Sequence, residues 1–340
     1  MKTILVTGGA GFIGSNFAEI ALQKNYKVIV LDSFTYAGHE ASLEFAKGSP
    51  DFTLVKGDIC DGALVLDLLQ KHKVDGVINF AAESHVDNSI NSPGVFIKTN
   101  VDGVYTMLEA SRRYFNELPE NKKQAFRFVQ VSTDEVYGSL ELDDGLKFSE
   151  ETQYKPSSPY SASKAAGDHL AHAWFKTYGL PTIVTNCSNN YGPRQFPEKL
   201  IPRMILCALN GEKLPVYGDG KNVRDWIHVH DHSNGVLLAF ERGNPGETYC
   251  FGGNAEVANI NLVNQLCSTL DALNPLPDGS SYNKNITFVT DRAGHDRRYA
   301  IDDSKASKQL GFRRAYDFTS GLRATVTWYL ENQAWCEEVR

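Results

Sequence analysis

Two short stretches of this chain carry side chains whose types and spacing suit proton chemistry. In VSTDEVYG, residues 131–138, an apolar run ends in Thr133 and is followed at once by two carboxyls, Asp134 and Glu135. Like charges that close repel, and partial burial raises both pKa values, so such a pair is either fully solvated or held for chemistry. In SSPYSASKAAGDHLA, Tyr160 and Lys164 stand four apart, which on a helix puts both on one face. A tyrosine with its ordinary pKa near 10 is a poor base, and bringing it to about 7 takes roughly 4 kcal/mol of preferential phenolate stabilisation.

A third stretch explains where such charge would come from. VTGGAGFIGS sets glycines at 8, 9, 11 and 14 between a strand-like and a helix-like run. Glycine there lets backbone approach a pyrophosphate at the helix N-terminus, where N–H groups and the dipole favour anions. KVIVLD then ends in Asp32, close to the position expected of an acid that accepts from ribose hydroxyls and repels a 2′-phosphate. The pattern favours NAD over NADP. A nicotinium ring and the lysine one turn away are then the positive charges available to Tyr160. Asp58, ending FTLVKGD, suits either an adenine contact or the N-cap of the helix in DGALVLDLL.

These residues need a scaffold, and the chain supplies a regular one. Strand-like ILVTG, KVIVLD, FTLVKGD, GVINFAA, FRFVQVST and PTIVTNCS alternate with helical stretches at 12–24, 40–47, 62–72, 95–115 and 160–178. That is the βαβ rhythm of a doubly wound parallel sheet. After about residue 190 prolines 193, 197, 202 and 215 break it. The expected organisation is a dinucleotide-binding domain over 1–189, joined by part of 222–245, and a smaller substrate domain over 190–340. RDWIHVHD and the helix after it are candidates to return to the first sheet.

Composition narrows the function classes. With 340 residues, a net charge of -7 and no long basic block, the chain does not read as a nucleic-acid binder. Six scattered cysteines without C-x-x-C read as reduced and cytoplasmic. No uninterrupted apolar run reaches about 18 residues, so no membrane span is expected. HVHDH, with His228, His230 and His232, raises a metal site because alternate strand residues share a face. The order H-x-H-D-H and the lack of a completing cluster argue for no metal.

Taken together, TGGAGFIG, NFAAESHVD, STDEVYG, Y-S-A-S-K and NNYGP resemble the extended short-chain dehydrogenase/reductase family. FPEKLIP, YGDG...RDW and AGHDRRYAID carry the resemblance to its nucleotide-sugar 4,6-dehydratases, almost end to end. The resemblance implies a Rossmann fold, bound NAD, a homodimer through helices 95–115 and 160–178, and dehydration of dTDP-glucose. It implies that Tyr160 removes the C4 hydroxyl proton beside Thr133 and Lys164, that Glu135 is the base at C5, and that Asp134 is the acid at the C6 hydroxyl. Implied cofactor contacts are Gly8, Gly11, Phe12, Ile13, Gly14, Asp32, Ser33, Phe34, Thr35, Asp58, Ile59, Phe80, Ala81, Ala82, Ser84, Thr99 and Asn190, with Tyr160 and Lys164. Implied substrate contacts are Ser84, His85, Thr133, Asn189, Lys199, Leu200, Pro215, Val216, Tyr217, Arg224, Asn259, Arg292, His295, Asp296, Arg297 and Tyr299. The apolar Val104, Leu108, Ala166 and Leu170 are the expected dimer face, with core burial of some of them the alternative. Asn88 and Arg194-Gln195 depart from the common pattern, where Arg and Tyr-His are frequent. A nucleotide-sugar 4-epimerase, or a 4,6-dehydratase acting on another nucleotide sugar, is the alternative.

Overall fold

A computed structural model describes residues 1–291 and 295–339. Its strands are β1 (Thr3–Thr7), β2 (Lys27–Asp32), β3 (Phe52–Lys56), β4 (Gly76–Asn79), β5 (Arg127–Thr133), β6 (Thr182–Cys187), β7 (Asn189–Tyr191), β8 (Leu214–Tyr217), β9 (Val223–His228), β10 (Thr248–Phe251), β11 (Glu256–Ala258) and β12 (Ile286–Val289). Seven form one sheet in the order β10-β6-β5-β4-β1-β2-β3. Every pairing in it is parallel. The near-continuous apolar runs are what a sheet covered on both faces demands.

Alternation along each strand divides the core in two. Ile4, Val6, Val28 and Val30 face the Phe12–Gln23 and Val229–Arg242 helices, packing with Phe17, Val236 and Phe240. Leu5, Ile29 and Leu31 face the opposite layer, where Val65 and Leu69 come from the Gly62–His72 helix and Met107 from the Val104–Glu117 helix. Val104 and Leu108 belong to this layer, so they are core rather than a dimer face. They face inward because their helix packs beside Gly62–His72 over the sheet. Leu170 is half-buried against the same core, and Ala166 is also half-buried. The exposed apolar side chains along these helices are Val95, Ile97, Tyr105 and Tyr178. The expected 95–115 helix is itself interrupted by a wide π turn at Lys98–Gly103.

The strand in RDWIHVHD does not enter the large sheet. As β9 it pairs with β7 and β11 in a three-stranded sheet, and β8 pairs with β12. The helix after it packs against the large sheet's helical layer, and β10 then becomes the sheet's edge. A second core, around Ile205, Leu266, Val326 and Tyr329, lies under the smaller sheets. Among the described residues, no helix is long and apolar enough to cross a membrane.

Candidate active site

A cleft of about 400 Å³ opens at the C-terminal edge of the large sheet. At one end it is built of backbone. Gly8 leaves β1 at φ +65°, and a side chain there would stand 2.7 Å from the backbone N of Ala81. A side chain at Gly14 would collide with the Gly8 carbonyl oxygen. Gly11 caps the Phe12–Gln23 helix with no side-chain hydrogen bond, which suits the helix start to an anion. Asp32 is buried at the end of β2, where one carboxylate oxygen accepts from the Ala10 N–H and the other from the Phe34 N–H, both at 2.8 Å. Burial raises its pKa, and the two N–H groups work against that rise. Asp32 therefore braces the glycine loop against the loop after β2.

Ser33, Thr35, Asp58, Ile59, Phe80, Ala81, Ala82, Ser84 and Thr99 line the cleft with Gly8, Gly11, Phe12, Ile13 and Gly14. Phe34 is not among the lining residues; it takes φ 53° and turns its ring toward the Lys56 ammonium. Asp58 does not cap the next helix. Asp61 does so, accepting from the Ala63 and Leu64 N–H groups, while Asp58 accepts from Cys60 N–H at 2.9 Å.

At the other end the cleft is built of side chains: Thr133, Asp134, Glu135, Tyr160, Lys164, Asn189, Asn190 and Lys199. Thr133 ends β5 and caps the tight turn Asp134–Tyr137, accepting from Glu135 N–H at 3.2 Å and donating to Asp134 Oδ1 at 3.3 Å. Asp134 is only 2% exposed, which overturns the solvated-turn alternative. Burial first, then the charges of Glu135 and Asp225, lift its pKa well above the carboxylate range, with Arg224 opposing. Its Oδ2 has no hydrogen-bond partner among the described residues.

Tyr160 and Lys164 sit on the Pro159–Tyr178 helix, whose start is fixed by a reciprocal Ser158–Ser161 capping box. Lys164 Nζ donates to the Val131 carbonyl at 2.7 Å. Burial lowers the lysine's pKa, and Asp168 counteracts this. Burial and the Glu135 charge raise Tyr160 well above its ordinary value. Among the protein's own groups, then, the net push on the phenol is upward, and the downward push the sequence expects from a nicotinium ring with Lys164 is left to the bound cofactor.

A layer behind these groups escapes the motifs. Asp168 is fully buried and accepts from Ser132 Oγ at 2.7 Å, Tyr154 OH at 3.0 Å and Asn186 Nδ2 at 3.5 Å. Asn186 also donates to the Thr133 carbonyl at 2.9 Å. Burial pushes Asp168 up to about 6 even against Lys164. Asn100, in the π turn, joins the Glu83 backbone to Ser163 of the Pro159–Tyr178 helix. Spacing offered one signal, since Asp168 follows Lys164 by one helical turn. The cleft also takes in Glu83, Cys187, Gln195, Phe196 and Glu198, which sequence reasoning missed as site residues.

The second region reaches the acids from above. Arg224 stacks its guanidinium 4.2 Å from the ring centre of Tyr299 and donates to the Val223 and Asp296 carbonyls. Tyr299, hydrogen-bonded to Asp296, is buried where the Glu135 charge raises its pKa. His85 caps the Val86–Asn91 helix and meets Glu198 at 3.5 Å; Lys199 caps the helix that Leu200 begins. Pro215, Val216 and Tyr217 lie on β8, with Val216 in the second core and Tyr217 against His295. Asn259 begins the Asn259–Leu273 helix, and Arg297 pairs with Asp219 at 3.7 Å. None of His85, Leu200, Pro215, Val216, Tyr217, Arg224, Asn259, His295, Asp296, Arg297 or Tyr299 lines the cleft, and Arg292 lies outside the described residues. The HVHDH histidines diverge because the strand ends at His228. That ring stacks on Tyr316, His230 contacts Asn234, and His232 meets Asn190 Oδ1 at 2.9 Å.

The family model described as GDP-mannose 4,6 dehydratase matches residues 5–325. A dTDP-glucose 4,6-dehydratase of Xanthomonas campestris pv. campestris (strain B100) is 56% identical over 339 residues, covering 100% of this chain and 96% of that one. The structure resembles a dTDP-glucose 4,6-dehydratase from Bacillus anthracis str. Ames solved in complex with NAD, at TM-score 0.88, 44% identity and 100% coverage of both chains. It also resembles one from Streptomyces venezuelae with NAD bound, at TM-score 0.90 and 43% identity, covering 99% of this chain and 100% of that one.

Proposed function

Because the chain belongs to the dTDP-glucose 4,6-dehydratase family, we propose that it converts dTDP-glucose to dTDP-4-keto-6-deoxyglucose with bound NAD. The observation that carries this is the Asp134–Glu135 pair at the end of β5, in one cleft with Tyr160, Lys164 and the Gly8–Gly14 loop. The residues fit the cofactor: glycines stand where side chains would collide, the helix start lacks a side-chain cap, and Asp32 is held at the strand end. When bound, NAD supplies the hydride acceptor at C4, the donor at C6, and a positive charge beside the phenol.

Tyr160 takes the C4 hydroxyl proton, with Thr133 bonding the same hydroxyl. The resulting ketone acidifies C5, where Glu135 removes the hydrogen. Asp134, kept neutral by its burial, gives its proton to the C6 hydroxyl, which leaves as water. Glu135 then returns its proton to C5 as C6 receives the hydride. Lys164, with Asp168 behind it, holds positive charge near the phenol. An epimerase would leave the acid pair without work, which disfavours that alternative.

The substrate's nucleotide is assigned to the region after residue 190, with Arg224, Arg297 and Lys199 as its cationic groups, and the NAD half to residues 1–189 with the Val229–Arg242 helix and β10. The same reading takes exposed Val95, Ile97, Tyr105 and Tyr178 as a homodimer face; sedimentation showing only monomer removes it. It also takes the six cysteines, none of which forms a disulfide among the described residues, as those of a cytoplasmic protein. The deciding experiment is incubation with dTDP-glucose, following the alkali-induced absorbance of a 4-keto sugar. A 4-epimer without that absorbance overturns the assignment.

A further inference from the structure

The reaction proposed above, on which this inference rests, reduces the cofactor at C4 and reoxidises it at C6, with loss of water in between. Between the two hydride transfers the sugar is first a 4-ketone and then an unsaturated ketone, each two electrons short of the product. Loss of the reduced cofactor in that interval would strand the sugar there. The cleft therefore needs something that keeps the dinucleotide in place for longer than the chemistry lasts.

Residues 193–199 are tied to three places at the C-terminal edge of the large sheet. The first is the Phe12–Gln23 helix, where the Pro193 carbonyl accepts from Asn16 Nδ2 at 3.0 Å, and Arg194 Nη2 donates to Asn16 Oδ1 at 3.0 Å and to the Glu19 carboxylate. The second is the stretch after β2, where the Phe196 ring stacks on His39 at 5.6 Å and meets Tyr36 edge-on at 5.8 Å. The third is the stretch after β4, where Lys199 Nζ donates to the Ser84 carbonyl at 3.4 Å and Glu198 meets His85 at 3.5 Å. Gln195, Phe196, Glu198 and Lys199 all line the cleft, which they share with Gly11, Asp32, Ala37 and Gly38 of the cofactor end. Arg194 does not line it. Its side chain is 12% exposed, with the guanidinium 5.2 Å from the ring centre of Phe45, and its backbone sits at φ +66°, where an arginine is strained.

We propose that Arg194 is a positioning residue for the cofactor: it pins residues 195–199 to the Phe12–Gln23 helix, so that they close over the dinucleotide and hold it until the hydride has returned. The ion pair with Glu19 and the bond to Asn16 offset the strained backbone, and both acceptors lie on the helix whose uncapped start suits the cofactor's phosphates. With that pin made, Phe196 is held on the stretch after β2 and Lys199 on the stretch after β4, so one segment spans the cleft from its dinucleotide end toward its sugar end. Without it, the segment keeps only the aromatic contacts and the two weaker polar ones, and the strain at residue 194 favours its leaving. Retention of the cofactor is then a property of a side chain that touches neither the cofactor nor the sugar.

The test times release without turnover. Enzyme loaded with NADH is mixed with excess NAD, and the fall in tryptophan-to-nicotinamide energy transfer gives the NADH dissociation rate. Asparagine tolerates the left-handed backbone but is too short to reach Glu19. Arg194→Asn should release NADH about 10–10²-fold faster than the wild type, and Arg194→Lys, which keeps a cation within reach of Glu19, should fall between them. Glu19→Ala should also speed release, and the double variant should be no faster than Arg194→Asn alone, because the two side chains act through one contact. With C4-deuterated dTDP-glucose and excess unlabelled NAD, the wild type should keep the deuterium in the new methyl group, whereas Arg194→Asn should lose part of it to reduced cofactor in solution. Wild-type release from Arg194→Asn, or Glu19→Ala and Arg194→Asn effects that simply multiply, overturns the pin. Full retention of deuterium by Arg194→Asn overturns its part in turnover. A wild type that forms no 4-keto sugar overturns the reaction instead, while the release rates still judge the pin.

Discussion

At the dinucleotide end of the cleft the chain offers backbone: glycines 8, 11 and 14, a helix start, and one carboxylate, Asp32, already bonded to two N–H groups. At the sugar end it offers side chains, with Asp134, Glu135, Tyr160, Lys164 and Asp168 crowded where burial shifts four of them from their ordinary pKa values. The first arrangement binds without changing its own charge, and its geometry is fixed by sterics. The second works because its charges are uncomfortable: a neutral acid beside an ionised base exists only where solvent is kept out. Mutations should therefore separate binding from chemistry along the length of one cleft.

The largest effects are expected at the sugar end. Glu135→Gln should keep C4 oxidation while C5 exchange with solvent nearly stops, and Asp134→Asn should keep C5 exchange while water loss slows. Each should lose about 10²–10⁴-fold in turnover with little change in NAD affinity. Deuterium uptake at C5, read by mass spectrometry in heavy water, checks the division of labour. Wild-type exchange in Glu135→Gln would reverse the two assignments.

A smaller effect, in binding rather than turnover, is expected at the other end. Asp32→Ala removes a charged acceptor from two N–H groups, each such bond contributing about 1.5–3 kcal/mol, much of it to holding the loops. NAD affinity should fall by about 10–10²-fold and discrimination against NADP should relax. Titration of both cofactors by fluorescence measures this, and unchanged NAD affinity would contradict the role.

These two ends were also unequally legible in the sequence. The glycine loop, the Tyr160–Lys164 spacing and the Thr133–Asp134–Glu135 run are local: a turn, one helical turn and three consecutive residues fix them. Asp168 needed the adjacency of β5 and β6 before its partners Ser132 and Asn186 could be named. Arg224 and Tyr299 come near the acids only because β9 joins a separate sheet and the chain returns past it at residue 298. That Val104 and Leu108 are apolar is legible in the sequence, but what covers them is not, and the structure puts both in the core. The HVHDH pattern misled because face-sharing holds only while the strand continues.

The smallest change in rate, with a clear change in stability, belongs to Asp168→Asn. Its folded pKa of about 6 lies above the unfolded value of about 3.9. Its stabilising contribution is therefore complete below about 3.9 and is lost as pH rises through about 6, a difference on the order of 3 kcal/mol. Relative to wild type, the variant should gain stability between pH 4 and pH 7 in urea unfolding. Parallel wild-type and variant curves over that window would remove the buried carboxylate from the account.

The π turn at Lys98–Gly103 has a consequence for how this helix tolerates length changes. Each residue of an ordinary helix turns the chain by about 100°, so one extra residue in a turn offsets the angular phase of everything before it against everything after it. Here Asn100 can reach Glu83 and Ser163 while Val104 and Leu108 stay under the sheet layer. Deleting one residue within 98–103 would shorten the helix by only about 1.5 Å yet rotate one of those sets away from its partners, so this segment should accept substitutions far more readily than a change in its length.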